Sequence, residues 1–349
     1  MAGPVSTGPV ATVPTTTGPM LQVSDLHVQI ASRRGLVRAV DGVSFEVARG
    51  EAMGLVGESG SGKSMTLRAV LGVLPPEARI TSGEVLLDGR DLVPLSQGAL
   101  NAIRGPKISM IFQEPMSALN PVMRVGAQIA EGPIVHLGYS RSRAHERALE
   151  LMRRVGIPDP ERRIRSFPHE FSGGMRQRVM IAIALACDPE IILCDEPTTA
   201  LDVTIQDQIL RLLARLCGES GVSLVFVTHD LPVVAQVCQQ VAVMYGGQLV
   251  ESGPVRDVLH EPRHPYTLGL VRSAPDVDDV RDALVPIPGS PPSLVSPPDG
   301  CRFHPRCKFA EEDCQVTEPP LKLLPGGRMT ACLHHERTIE SLQAERGAQ

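Results

Sequence analysis

The stretch AMGLVGESGSGKS (52–64) decides the fold. Its first five residues form an apolar run that ends at a glycine, as expected of a strand buried on both faces. The next eight, Gly57, Glu58, Ser59, Gly60, Ser61, Gly62, Lys63 and Ser64, fit G-x-x-x-x-G-K-[ST]. Helical spacing follows in KSMTLRAVLGVL (63–74). Strand, loop and helix in that order make a phosphate site. Glycines let backbone N–H groups wrap an anion, and the helix dipole adds attraction. Lys63 is placed for β- and γ-phosphate oxygens, and the Ser64 hydroxyl for Mg²⁺. A glycine-rich loop can match by chance, so the rest of the chain must supply the partners.

It does. EIILCDEP (190–197) is a buried strand that delivers Asp195 and Glu196 to its carboxyl end, where ligands bind in open α/β sheets. Asp195 would hold Mg²⁺ through water, and Glu196 would polarise the attacking water as general base. Gln113 follows the strand KISMIF, and His229 follows SLVFVT. Alone, each is an ordinary strand-end residue. Beside the other motifs they suggest a metal and water sensor (Gln113, also a Mg²⁺ ligand) and a γ-phosphate contact (His229). No N-K-x-D occurs, which disfavours a guanine nucleotide.

FSGGMRQRV (171–179) poses a separate question. Ser172, Gly173, Gly174 and Met175 open a helix whose first N–H groups could hold an anion. This second site has no lysine, no Mg²⁺ ligand and no acidic strand end, so it cannot hold ATP alone. The bland alternative is a helix cap.

Further strands are expected at 21–30, at 40–51 with a turn at Asp41–Gly42, in an edge hairpin at 82–92, at 222–230, and in a hairpin at 241–253 turning on Gly-Gly. AHERALELMRRVG (144–156) is a charged, Arg-rich helix. Met110, Met116 and Met123 are expected to pack. The chain divides into a disordered tail (1–19), a core (20–270) with a helical subdomain at about 115–175, and an extension (271–349) that begins with a Pro-rich linker. The 349 residues carry a formal net charge of −5, so nothing global points to nucleic acid. No apolar run approaches the ~18 residues of a membrane span, and the N-terminus is unlike a signal peptide. A soluble, intracellular chain is expected unless a partner holds it elsewhere.

GESGSGKS, IFQEPMSALNPV, FSGGMRQRV, IILCDEPTTALDV and FVTHD occur in that order. They resemble the Walker A, Q-loop, signature, Walker B/D-loop and H-loop of ABC-type ATPases over about 20–270. The resemblance implies an α/β P-loop NTPase fold with an edge antiparallel β-subdomain and a helical insertion, followed in this chain by a small Cys-rich C-terminal extension. It implies ATP hydrolysis at the seam of two head-to-tail ATPase subunits. Ser172–Met175 of one subunit would close over ATP held by the other, and Asp202 would lie at the same seam. Such domains usually stack an aromatic on adenine. The matching stretch LHVQIASRRG (26–35) has Ile30 near that place, which leaves apolar contact, or Arg33 or Arg34 over the base.

RHPYTLGLVRSAP (263–275) and GCRFHPRC (300–307) resemble the tail of oligopeptide and dipeptide importer ATPases. That implies two membrane permease subunits, a second ATPase subunit (a heterodimer favoured), an extracellular or periplasmic solute-binding protein, and a peripheral place on the cytoplasmic face of the membrane. The Arg-rich helical segment is expected to be a solvated face, or to contact a membrane partner. Nickel and glutathione importers share these features. A soluble ABC ATPase acting on nucleic acid or ribosomes is the rival of another class. Cys187, Cys194, Cys217 and Cys238 have apolar or helical surroundings and read as buried thiols. Cys301, Cys307, Cys314 and Cys332, spaced C-x5-C-x6-C-x17-C, could wrap Zn²⁺ or an Fe–S cluster, or stay free; His304, His334 and His335 lie nearby. The importer resemblance implies a [4Fe–4S] cluster there.

Overall fold

A computed structural model describes residues 18–199, 201–273 and 286–347. Most of the expected N-terminal tail, 1–17, lies outside the described residues, as does the start of the Pro-rich linker. The strands are β1 (Leu21–Ser32), β2 (Gly35–Val47), β3 (Ala52–Val56), β4 (Ala78–Leu87), β5 (Arg90–Asp91), β6 (Ile108–Ile111), β7 (Ile191–Asp195), β8 (Ser223–Thr228), β9 (Gln240–Tyr245), β10 (Gln248–Pro254), β11 (Lys322–Leu324) and β12 (Arg328–Thr330). They form a four-stranded antiparallel sheet, β2-β1-β4-β5, and an eight-stranded sheet, β11-β12-β10-β9-β3-β8-β7-β6.

Within the larger sheet β9, β3, β8, β7 and β6 run parallel. Every residue of β3, β7 and β8 is buried, as parallel strands covered on both faces require. Alternation divides their side chains between two cores. Leu55, Leu193 and Val225 face the antiparallel sheet, together with Leu67 of the helix Lys63–Leu71. Val56, Cys194 and Phe226 face the helical side, which includes Ile129, Leu151 and Val179.

The helix after the phosphate loop ends at Leu71, three residues short of the expected stretch. Gly72 caps it at φ 70°, a left-handed conformation that glycine adopts without a Cβ penalty. Asp41–Gly42 is not the expected turn. It lies inside β2, where the register slips between the Leu26–Val43 and His27–Asp41 pairs, and Gly42 takes φ 77°. A bulge and a tight turn both call for a positive φ, so Asp-Gly signals either. In the helix Arg141–Arg154, Ala144, Ala148, Leu151 and Met152 are buried. Its arginines are partly tied up locally: Arg147 pairs with Glu150 and Asp188, and Arg153 with Glu161. Met110 packs against the core, but Met116 is 54% exposed, contrary to a packing role.

The C-terminal region is woven into this body. β12 pairs with β10 through Glu251–Thr330 and Ser252–Met329, so the large sheet ends in residues from the tail. Arg302 bonds Asp41 and the Gly246 carbonyl. Phe303 packs edge-on to Tyr245 at 5.1 Å and against Tyr266 at 5.5 Å, gathering scarce aromatics behind the phosphate loop. Glu251, 0% exposed, accepts from Arg328 at 3.0 Å and from the Arg263 and His264 N–H groups.

Breaking a buried pair strands its other charge, which costs about 3–5 kcal/mol. Arg328→Ala is expected to lower unfolding stability by about 3 kcal/mol, read from the urea midpoint. Arg328→Met with Glu251→Gln should recover most of that loss, and an unchanged midpoint in the single variant would contradict the pairing.

Candidate functional site

The strand-to-helix loop after β3 is shaped by close backbone approach. A Cβ on Gly62, at φ 107°, would lie 2.3 Å from the Ala39 carbonyl oxygen, and one on Gly57 would lie 2.2 Å from that of Met244. Gly57 and Gly62 are therefore sterically required. Lys63 is buried, and its Nζ donates to the Gly57 carbonyl at 2.7 Å and the Glu58 carbonyl at 2.9 Å. Burial pulls its pKa below the ordinary lysine value, while the carboxylates of Glu196, Asp195 and Glu58 work the other way. An ammonium so placed can exchange loop carbonyls for phosphate oxygens.

The parallel register brings the remaining groups to this loop. Val56 pairs with Thr228, and Val227 with Asp195, so β3, β7 and β8 end at one level. Ser64 Oγ donates to Asp195 Oδ1 at 2.6 Å. Burial raises the Asp195 pKa, and the Ser64 bond opposes the shift. These hard oxygen donors, with Gln113 across the cavity, suit Mg²⁺. Glu196 sits just beyond the strand at φ 44°, rare for a residue other than glycine and found where structure over-determines a functional group. Its Oε2 accepts from Gln113 Nε2 at 3.2 Å and Thr199 Oγ1 at 2.9 Å, with His229 Nδ1 at 3.4 Å. The strand-end residues singled out in the sequence thus converge on one carboxylate. Thr199 was missed; it lies one turn past Glu196, with no signal of its own.

One cavity of about 960 Å³ joins these groups to an apolar end. Lys63, Ser64, Gln113, Glu196 and His229 line one part, and Ile30, Val37 and Leu270 line another. Arg33 and Arg34 are exposed and do not line it, whereas Ile30 does.

Ser172–Met175 and Asp202 do not line this cavity either. Ser172 caps the helix Gly173–Ala184, its Oγ accepting from the Met175 N–H at 3.4 Å. A Cβ on Gly174 would meet Ile205 Cγ2 at 2.6 Å. Asp202 caps the helix Val203–Ser220, accepting from the Ile205 N–H at 3.0 Å, and both capping residues are exposed.

The C-terminal region also reaches the phosphate loop. Tyr266 Oη accepts from the Glu58 N–H at 2.8 Å. Arg306 grips the Glu58 carboxylate with two bonds, of 2.7 and 3.0 Å. Nothing local in the sequence assigns either residue a task, since contacts across about two hundred residues leave no local period. Next to Arg306, Cys307 lines a small pocket with Cys301, Cys314, Cys332, His304 and His334. Burial raises all four thiols, Cys307 to about 11 and Cys332 to about 12, and for Cys332 the other three thiols add to the shift. Four mutually repelling soft donors can ionise together only around a cation. Asp313, Cys314 and His334 also approach closely, one ligand atom from each lying within 4.8 Å of the others; Asp313 carries no signal in the sequence that sets it apart from other acidic residues. His335 instead pairs with Glu336. Cys187, Cys194, Cys217 and Cys238 are buried thiols, as expected.

Comparison with known proteins matches this geometry. A family model described as ABC transporter matches residues 40–199, and one described as oligopeptide/dipeptide transporter, C-terminal region, matches 250–314. The dipeptide transport ATP-binding protein DppD of Bacillus subtilis is 50% identical over 322 residues, 92% of this chain and 96% of that one. The oligopeptide transport ATP-binding protein OppD of Salmonella typhimurium is 47% identical over 313 residues, 90% and 93% of the two chains. Among solved structures, the ATP-binding cassette MJ0796, a dimer in a post-hydrolysis state bound to ADP and Pi, aligns with a TM-score of 0.61 at 30% identity, covering 68% of this chain and 99% of that one. No helix of the described residues is long and apolar enough to cross a membrane. The chain therefore belongs to the ATP-binding proteins of ABC transporters, in the group that carries the oligopeptide/dipeptide transporter C-terminal region.

Proposed function

We propose that this chain hydrolyses ATP to power import of di- or oligopeptides, from the cytoplasmic face of the membrane. The convergence of Gln113, Thr199 and His229 on Glu196, beside Ser64 and Asp195, carries the reading. Gly57–Ser64 would cradle the phosphates, with Lys63 on the β and γ oxygens. Ser64, Gln113 and Asp195 would hold Mg²⁺, which supplies charge neutralisation for those oxygens. Glu196 accepts a proton from the attacking water as the water oxygen bonds to the γ-phosphorus and the bridge to ADP breaks. His229 contacts the γ-phosphate and keeps the base oriented.

A second ATPase subunit, a different chain by preference, would lay its own signature over this nucleotide, while Ser172–Met175 here would serve the partner's. The exposed positions of Ser172 and Asp202 outside the cavity support that division. Two permease subunits would dock on the helical subdomain at about 115–175, where Phe112, Met116 and Val122 expose apolar surface at its entrance. A solute-binding protein would deliver the peptide. The chain is read as a core (20–270) with an extension (271–349). Cys301, Cys307, Cys314 and Cys332 would hold a [4Fe–4S] cluster with a stabilising task, and their shared pocket supports it.

Glu196→Gln should bind ATP normally while turnover falls about 10²–10⁴-fold, measured by phosphate release and calorimetry; unchanged turnover would refute the base. Ser172→Arg should cut turnover of the assembled transporter roughly a hundredfold and leave ADP affinity of the isolated chain unaltered; equal loss of both would place the signature on its own nucleotide. Anaerobically purified protein should contain iron and acid-labile sulfide and show visible absorption, all reduced in Cys307→Ser. One zinc per chain without iron would replace the cluster by a zinc site.

A further inference from the structure

The apolar end of the nucleotide cavity is built largely by the C-terminal region. Beside Ile30 and Val37, it is lined by Leu270, Pro286, Ile287 and Leu294. Among the described residues, no Phe, Tyr or Trp lines the cavity. A purine offers two flat apolar faces, and aliphatic walls can bury them as an aromatic ring would, without the ring's quadrupole.

The wall is anchored at separate points. The Arg38 N–H on β2 donates to the Leu294 carbonyl at 2.9 Å. Gly269 gives Ile287 room: a Cβ there would lie 2.9 Å from Ile287 Cγ1. Arg306 donates to the Pro288 carbonyl at 2.7 Å and the Ile287 carbonyl at 3.3 Å while the same guanidinium grips Glu58. A single planar fork therefore joins the base end of the cavity to its phosphate end, with five donors that a lysine could not match in geometry.

We propose that Ile287 and Leu294 form the adenine-facing wall of the ATP site, and that Arg306 is a positioning residue that locks this wall to the phosphate loop through Glu58. This rests on the ATPase reading above and assigns the C-terminal region a task at the nucleotide itself. Base recognition through aliphatic contact alone discriminates weakly among purines, so GTP should bind within a few-fold of ATP.

Calorimetric titration of the full chain with ADP and with inorganic tripolyphosphate separates the two ends of the site. Ile287→Ala with Leu294→Ala should weaken ADP about tenfold and leave tripolyphosphate within about twofold. Should that pair lower the melting temperature, Leu294→Ser alone, at a half-buried position whose backbone bond persists, should still weaken ADP selectively by about threefold. Arg306→Gln should weaken both ligands, and Arg306→Lys should not restore them. ADP affinity unchanged in the wall variants, or both ligands weakened equally by them, would overturn the proposal. Lys63→Ala is the control: if it leaves both ligands bound as before, the ATP-site reading fails rather than the wall.

Discussion

Parallel register is the constraint on which this molecule turns. β3, β7 and β8 end at one level, so a loop from the first, two carboxylates from the second and an imidazole from the third meet at a single sheet edge. A slip of one residue in any of the three would carry its polar terminus to the opposite face. The slip is opposed by two hydrophobic cores at once, because each strand divides its apolar side chains between them. Packing thereby positions chemistry without contributing a reactive group.

The site's second determinant lies far along the chain. Tyr266 and Arg306 secure Glu58, a position inside the phosphate-loop motif that the motif itself leaves unspecified. The tyrosine satisfies a backbone donor, and the arginine makes a charge-assisted, two-bond contact in a half-buried setting, where such bonds outweigh exposed pairs. Tyr245, Tyr266 and Phe303 pack behind them. A chain with few aromatics thus concentrates three where the tail meets the sheet.

How much of this was legible follows from the range of each signal. The loop from Gly57 to Ser64, the strands before Gln113, Glu196 and His229, and the cap at Ser172 all declare themselves within a dozen residues, through period, glycine placement or an apolar run. Asp41–Gly42 shows the limit of local reading, since its conformation suits a turn as well as the bulge that formed. Met116 shows another, as a methionine carries no sign of which way it faces. Cysteine spacing announced a group of neighbouring thiols without its surroundings. The Arg306–Glu58 and Arg328–Glu251 pairs are tertiary matters: each arginine is one of many, and only the assembled fold selects it.

The sheet's last strands impose an order of events during synthesis. Glu251 leaves the ribosome 77 residues ahead of Arg328, and β10 awaits β12 over the same interval. Until then the nascent chain carries an open strand edge and an acidic side chain lacking its counter-ion, conditions that invite pairing with a neighbouring polypeptide. Completion of the motor's sheet is therefore a late, long-range closure, and translation that stops short of the final thirty or so residues yields a body with a sticky rim.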